Sequence, residues 1–369
     1  MSFVMSIIQM STSTTTATTT NNTDTSTGTA AGNLSLTGSA GPSDIAASVG
    51  SSSVHHGDFR DQLFSKGWVV VPNVIPDDRA REYVSRAHDF LESFNLGYNR
   101  DDPSTWNLSS LPYNNKGGLY SAYGVGHQQF LWDIRQEPGL IDTFATVWGT
   151  SELLVSFDGI NISVPLNLQE EQNKGLDSPW PHVDQSPNRR FFHCVQGIAN
   201  LAPNGPLDGG LMVLRGSKEL YNECFDRFAH QRPAEGWTPL DSYHHTPEML
   251  EWMIKEKGCT WHKVEAPAGS VILWDSRTVH YGSIPLSTNP RVASYVCYKP
   301  AALISEEYRE KKKEAIDQML TSTHDPVMFT CRPRREPAPN DPGWSVRQVP
   351  DERPVLSEVG RKLAGLESY

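Results

Sequence analysis

Two short segments far apart in the chain, Trp180-Pro-His-Val-Asp-Gln185 and Trp274-Asp-Ser-Arg-Thr-Val-His-Tyr-Gly282, restrict the fold more than any other feature. Together they offer two imidazoles and one carboxylate: His182, Asp184 and His280. In an extended run successive side chains alternate between faces, so His182 and Asp184 point the same way. A fold that uses them with His280 has to bring a second strand alongside, as happens when a sheet closes on itself. Two neutral imidazoles and one carboxylate suit one face of a divalent iron. They leave three positions open, the arrangement that non-haem Fe(II) oxygenases use to take a co-substrate and dioxygen side by side. A closed structural site would call for four protein ligands.

A His-x-Asp triplet alone carries little information, and His56-Gly-Asp58 is a second copy at the edge of a low-complexity stretch. Around His182 the frame is different: Trp180, Pro181 and Pro187 precede an apolar run, Phe191 to Leu201, that reads as a buried strand. The segment holding His280 lies between two further strand signals, Gly269 to Trp274 and Val292 to Tyr298. At the start of the latter stands Arg291, whose guanidinium is suited to take the far carboxylate of a dicarboxylic acid in a two-bond fork while the other end chelates the metal.

Together with Gly209-Gly-Leu-Met-Val-Leu-Arg-Gly-Ser217, this order of motifs resembles the phytanoyl-CoA dioxygenase family of Fe(II)- and 2-oxoglutarate-dependent oxygenases, over roughly Phe59 to Leu320. The resemblance implies a mainly β fold with flanking helices around a double-stranded β-helix, the jelly-roll or cupin-like core. It also implies His182, Asp184 and His280 as the catalytic metal ligands and Arg291 as the 2-oxoglutarate residue. Fe(II) would be the metal, 2-oxoglutarate the co-substrate, and a small organic molecule and O2 the partners, with succinate and CO2 released. Two departures stand out. Arg215-Gly-Ser-Lys218 replaces the family's usual Pro-Gly-Ser-His, and Gly282 stands where a serine often follows the distal histidine.

Other residues are candidates of lesser weight. Gln196 shares a strand face with Cys194 and Ile198 and is expected to reach the co-substrate, or else to be a buried amide satisfied by backbone. Trp180 and Arg277 are candidates for the substrate, although a structural pair with Asp275 or another carboxylate is the favoured role of Arg277. The alternatives to a 2-oxoglutarate enzyme are a cupin-like metal oxygenase that needs no 2-oxo acid and a catalytically silent jelly roll that binds a metabolite.

The remainder of the chain sets outer limits. Residues 1–56, rich in Ser, Thr and Gly, have too little apolar surface to fold and are expected to be a disordered tail. The catalytic domain is expected over 57–324, with a Pro-rich extension, 325–369, that wraps the domain or covers the site. A net charge of −11 argues against nucleic acid or an anionic membrane as partner. The odd count of 5 cysteines, without Cys-x-x-Cys spacing, points to a reduced intracellular protein, and no secretory, membrane-spanning or peroxisomal signal is evident, so a cytoplasmic location is expected. Helices are expected after Pro76, from about Pro138 to before Gly149, from Thr246, and from Ser305, the last with Arg309 to Lys313 on its wet face.

Overall fold

The computed structural model describes residues 54–334, 341 and 343–369, so the expected tail, 1–56, lies almost wholly outside the described residues. The described chain starts with the decoy triplet: Asp58 is the N-cap of helix α1 (Phe59–Lys66) and accepts a bond from the Arg60 N–H. That is an ordinary use of Asp at a helix start.

Thirteen strands follow among the described residues. In chain order they are β1 (Trp68–Val71), β2 (Leu119–Tyr120), β3 (Leu153–Val155), β4 (Ile160–Ser163), β5 (His182–Val183), β6 (Val195–Asn200), β7 (Gly210–Arg215), β8 (Tyr243–His244), β9 (Thr260–Lys263), β10 (Ser270–Asp275), β11 (His280–Ser283), β12 (Arg291–Val296) and β13 (Tyr298–Pro300). One sheet runs β1-β10-β6-β12-β4-β2 and the other β8-β5-β11-β7-β9, while β13 pairs with β3 alone. Every pairing is antiparallel.

Strand alternation sorts side chains into layers. Val271 and Leu273 of β10, Val195 and Ala199 of β6, and Val292 and Val296 of β12 face a core shared with helices α2 (Asp77–Glu92), α3 (Gln129–Arg135) and α4 (Pro138–Trp148). The alternate residues, among them Ile198, Ile272, Trp274 and Ala293, meet Leu211 and Val213 of β7 in the space between the two sheets. Outside the smaller sheet, Val183, Leu214 and Val279 pack against α5 (Tyr221–Arg227) and α6 (Pro247–Glu251). Burial of these apolar stripes, at about 25 cal/mol per Å² removed from water, is what holds the layers together. This is the expected jelly-roll core with flanking helices, although the two sheets do not close into a continuous barrel.

The expected helices form with their expected signals. Helix α4 has Pro138 at its first position and Gly149 in the left-handed conformation at its end. In α6, Thr246 caps the Met249 N–H and Pro247 leads, but the helix passes into a π-helical turn, Trp252–Glu256, before Gly258. Helix α7 (Glu306–Asp317) is capped by Ser305. Its outer face carries a correction: Lys312, in the run expected to be wet, is buried, donating to the Val155 carbonyl at 2.7 Å with its ammonium 4.0 Å from the Phe157 ring centroid. A final helix, α8 (Glu358–Ala364), is capped by Ser357, which also bonds Gln136 of the main body. No helix among the described residues is long and apolar enough to cross a membrane.

Candidate metal centre

The antiparallel register sets His280 of β11 directly opposite His182 of β5, with their ring centroids 4.3 Å apart. Asp184, one residue past β5, lies between them: its Oδ1 is 3.5 Å from His182 Nε2 and its Oδ2 is 3.3 Å from His280 Nε2. The three donor atoms all lie within 4.8 Å of one another. Separation along the chain is therefore resolved by cross-strand pairing, as the alternation of His182 and Asp184 requires.

The protonation of these groups follows from their surroundings. His182 Nδ1 donates to the Trp180 carbonyl at 3.2 Å, and His280 Nδ1 donates to the Thr278 carbonyl at 2.9 Å. Both bonds place the proton on Nδ1 and leave the Nε2 lone pairs converging on Asp184. Burial, with the neighbouring His280 adding to it, pushes His182 down to about 4, so its imidazole is neutral at pH 7. Burial alone would raise the Asp184 carboxyl, but the surrounding His182, His280 and His324 hold it well below the usual carboxylate range. The outcome is two imidazoles that present Nε2 beside one carboxylate, a donor set that fits a divalent transition metal.

A cavity of about 330 Å³ opens on this cluster. Gln196 reaches it from β6, but its amide is spent on the ligand carboxylate, donating to Asp184 Oδ2 at 2.9 Å. Arg291, at the start of β12 and only 5 % exposed, points into the cavity from the other side. It bonds the hydroxyl of Tyr295, its neighbour on the same strand face, and its buried Nε has no partner. Behind it lies Lys263, driven down to about 8 by burial and by the Arg291 charge.

The other candidates separate. Trp180 lines the cavity, stacked on His182 with centroids 4.5 Å apart, its Nε1 bonded to the Gly282 carbonyl at 3.2 Å. Arg277 is not brought to the cavity. Its guanidinium grips Asp275 through Nε at 2.9 Å and Nη2 at 2.7 Å, the pairing open in the sequence reading. The two departures from the family pattern have plain structural uses. Lys218 bonds the Phe64 carbonyl at the end of α1, and Ser283 donates to Gly210, leaving only Gly282 of that pair in the cavity wall.

Sequence reasoning missed Tyr295, although its spacing from Arg291 on one strand placed it on the same face. It did not place in the site His244 of β8, whose ring lies 5.5 Å from that of His182, or Thr323 and His324, which reach the cavity from the carboxy-terminal side together with Arg332 of the extension expected to wrap the domain or cover the site. No local pattern marks these. The expected boundary between residues 324 and 325 falls within the stretch that contributes them.

A second cluster, His193, Asp241 and Asp325, also brings ligand-type atoms within 4.8 Å. Each carboxylate there already has a cation: Lys299 Nζ lies 2.8 Å from Asp325 Oδ2, and Arg189 Nε lies 3.0 Å from Asp241 Oδ1. Such a group is an ion-pair network, and a metal ion would have to sit against an ammonium.

No family model matches the chain. A curated relative, Ava biosynthesis cluster protein O of Aspergillus versicolor, is 38% identical over 277 residues, spanning 74% of this chain and 87% of the relative. A Dictyostelium discoideum protein named "Putative phytanoyl-CoA dioxygenase" is 22% identical over 293 residues, 70% of this chain and 79% of that protein. Among solved structures, EctD from S. alaskensis with bound Fe is similar at 14% identity and a TM-score of 0.43, over 69% of this chain and 79% of that one. The epimerase SnoN in complex with Fe3+, alpha ketoglutarate and nogalamycin RO is similar at 15% identity and 0.40, over 65% and 82%. Fold and site together define a jelly-roll protein with a His-Asp-His cluster suited to a divalent metal. The chain belongs to the same family as Ava biosynthesis cluster protein O.

Proposed function

We propose that this protein is an Fe(II)- and 2-oxoglutarate-dependent dioxygenase that hydroxylates a small organic metabolite. The observation that carries the co-substrate reading is Arg291: a buried guanidinium that opens on the metal cavity, has an orphaned Nε, and pairs with no carboxylate among the described residues. A buried cation with donors to spare is strongly stabilised by an anion, and the distal carboxylate of a metal-chelated 2-oxoglutarate in the same cavity would supply one.

In this reading His182, Asp184 and His280 hold the iron through Nε2, a carboxylate oxygen and Nε2. When bound, iron with 2-oxoglutarate supplies the oxidising chemistry, in which one atom of O2 enters succinate as CO2 leaves and the other enters a substrate C–H bond. The chain's own residues do the placing. Gln196 fixes the rotamer of Asp184, the Trp180 and Thr278 carbonyls fix the two imidazoles, and Arg291 with Tyr295 orients the co-substrate. Ile198, Leu211 and Trp274 make the inner wall apolar and exclude water from the reacting atoms. Hydroxylation is the default outcome for such a site.

The relative's place in a biosynthesis cluster supports a small molecule, not a macromolecule, as substrate, and the net charge of −11 disfavours nucleic acid and anionic membrane. A reducing, cytoplasmic setting fits cysteines that are all free thiols.

The test is an anaerobic titration of wild type and His280→Ala with Fe(II) and 2-oxoglutarate, reading the weak visible charge-transfer band of the chelate. A band in wild type alone supports cofactor and ligands together. Iron binding without a band would favour a metal oxygenase that needs no 2-oxo acid, and absence of iron binding a silent jelly roll.

A further inference from the structure

The cavity has a second set of unused polar groups on the wall formed by the carboxy-terminal segment. Residues 321–332 double back on themselves: Thr323 N–H donates to the Thr330 carbonyl at 2.9 Å, Arg332 N–H to the Thr321 carbonyl at 2.7 Å, and Ser322 bridges Cys331 antiparallel. The bend between is pinned by Asp325. Its Oδ1 accepts from the Val327 and Met328 N–H groups at 2.8 and 3.1 Å, and its Oδ2 takes Lys299 at 2.8 Å and lies 3.0 Å from His193. Through His193 the hairpin is tied to Asp241, which Arg189 and the Ser186 N–H hold from the other side. Two segments far apart in sequence, 241–244 and 321–332, are thus locked into one wall facing the metal.

On that wall the hairpin presents His324 and Arg332. His324 Nε2 is buried and has no hydrogen-bond partner among the described residues. The imidazole is close enough to Asp184 to be one of the groups acting on its carboxyl. The Arg332 guanidinium stands exposed at the mouth and makes neither ion pair nor side-chain hydrogen bond among the described residues. An imidazole N–H and a guanidinium lining one cavity offer donors suited to an anionic oxygen pair. Neither nearby carboxylate forms an ion pair with the guanidinium: Asp241 Oδ1 is taken by Arg189 and the Ser186 N–H, and Asp158 Oδ1 by the Gly159 N–H at 2.7 Å.

We propose that His324 and Arg332 bind a carboxylate carried by the substrate, so that the enzyme acts on an organic acid held by its acidic end at the cavity mouth while the carbon to be oxidised reaches the metal. Arg291 serves a different carboxylate, that of the co-substrate, from the opposite strand. The inference deepens the reading of the site as a 2-oxoglutarate oxygenase and rests on it. Asp158 on the same cavity wall repels a carboxylate and so fixes which way round the acid lies.

The test uses the full chain loaded with Fe(II) and 2-oxoglutarate, the visible chelate band confirming loading. Oxygen-dependent succinate release is then measured with small aryl acids, each beside its neutral amide: phenylacetate with phenylacetamide, and indole-3-acetate with indole-3-acetamide. In wild type the acids stimulate release roughly tenfold or more over the amides, the factor a charge-assisted hydrogen bond provides. Arg332→Gln and His324→Ala lose most of that preference, and Arg332→Lys keeps part of it. The acid-to-amide ratio is internal to each preparation, so partial loss of folded enzyme does not imitate the effect. Acid and amide acting alike in wild type, or a preference that survives Arg332→Gln, overturns the proposal. A wild type with no band and no 2-oxoglutarate-dependent succinate overturns it together with the oxygenase reading, and is told apart by that double absence.

Discussion

Replacing Arg291 by Met removes the guanidinium while keeping most of the apolar stem. In the structure this residue is buried, bonds the Tyr295 hydroxyl, keeps an Nε without a partner among the described residues, and crowds Lys263, whose pKa is lowered to about 8 by burial and by the Arg291 charge. A dicarboxylate seated there gains two charge-assisted hydrogen bonds of about 1.5–3 kcal/mol each. Their loss amounts to roughly 3–6 kcal/mol, a rise of about 10²- to 10⁴-fold in the 2-oxoglutarate concentration for half-saturation. Iron affinity should change far less, because Arg291 touches none of His182, Asp184 or His280. Without co-substrate the variant should be as stable as wild type or more so, since an unpaired buried cation has gone. With 2-oxoglutarate at a hundredfold excess over its dissociation constant, wild type alone should gain about 2.7 kcal/mol. Anaerobic band titrations give the affinity, and thermal unfolding with and without 2-oxoglutarate gives the stability. Half-saturation within about threefold of wild type would refute the reasoning and free Arg291 for another role.

Other outcomes follow from the same geometry. Gln196→Leu frees the Asp184 carboxylate from its 2.9 Å bond and should weaken iron binding by about 10- to 100-fold, read by competition with a chelator; unchanged affinity would make the bond incidental. His245 is buried with neither ring nitrogen bonded, and burial lowers it from 6.5 to about 3. As pH falls through 6.5 the unfolded chain takes up a proton that the folded one refuses, so stability drops, by about 2 kcal/mol at pH 5 for this one group. His245→Leu should flatten that loss in urea unfolding at pH 7.5 and 5.0, and an unaltered slope would count against it. Asp325→Asn strands the buried Lys299 ammonium and should destabilise by about 3–5 kcal/mol, with Lys299→Met added to it restoring part, as thermal unfolding of both variants would show.

Much of the site was written in local pattern. The alternation of His182 and Asp184 and the strand signals flanking His280 pointed to one cluster, because side-chain direction along a strand has a period of two and needs no tertiary information. The decoy at His56 was separable on the same ground: Asp58 begins a helix and nothing near it reads as a strand. The inward face of β6 placed Gln196 toward the cavity, but which acceptor its amide would find, Asp184, depended on a neighbouring strand. Lys312 shows the opposite case. A charged run on a helix reads as solvated, yet this lysine is buried because the Val155 carbonyl and the Phe157 ring sit above it, and neither is near in sequence.

The sequence by itself pointed to the metal donor set, the helix caps and the position of Arg291 at a strand start, all of which rest on spacings of a few residues, while the jelly-roll class came from the family resemblance those motifs carry. The tertiary structure alone decided that His280 faces His182, that Arg277 belongs to Asp275, and that the carboxy-terminal hairpin brings His324 and Arg332 to the cavity. The reason is physical. Strand and helix periodicities fix where a side chain points relative to its own element, whereas partners across sheets, and the buried ions that clamp one loop to another, are set by packing between segments that carry no record of each other in their local order.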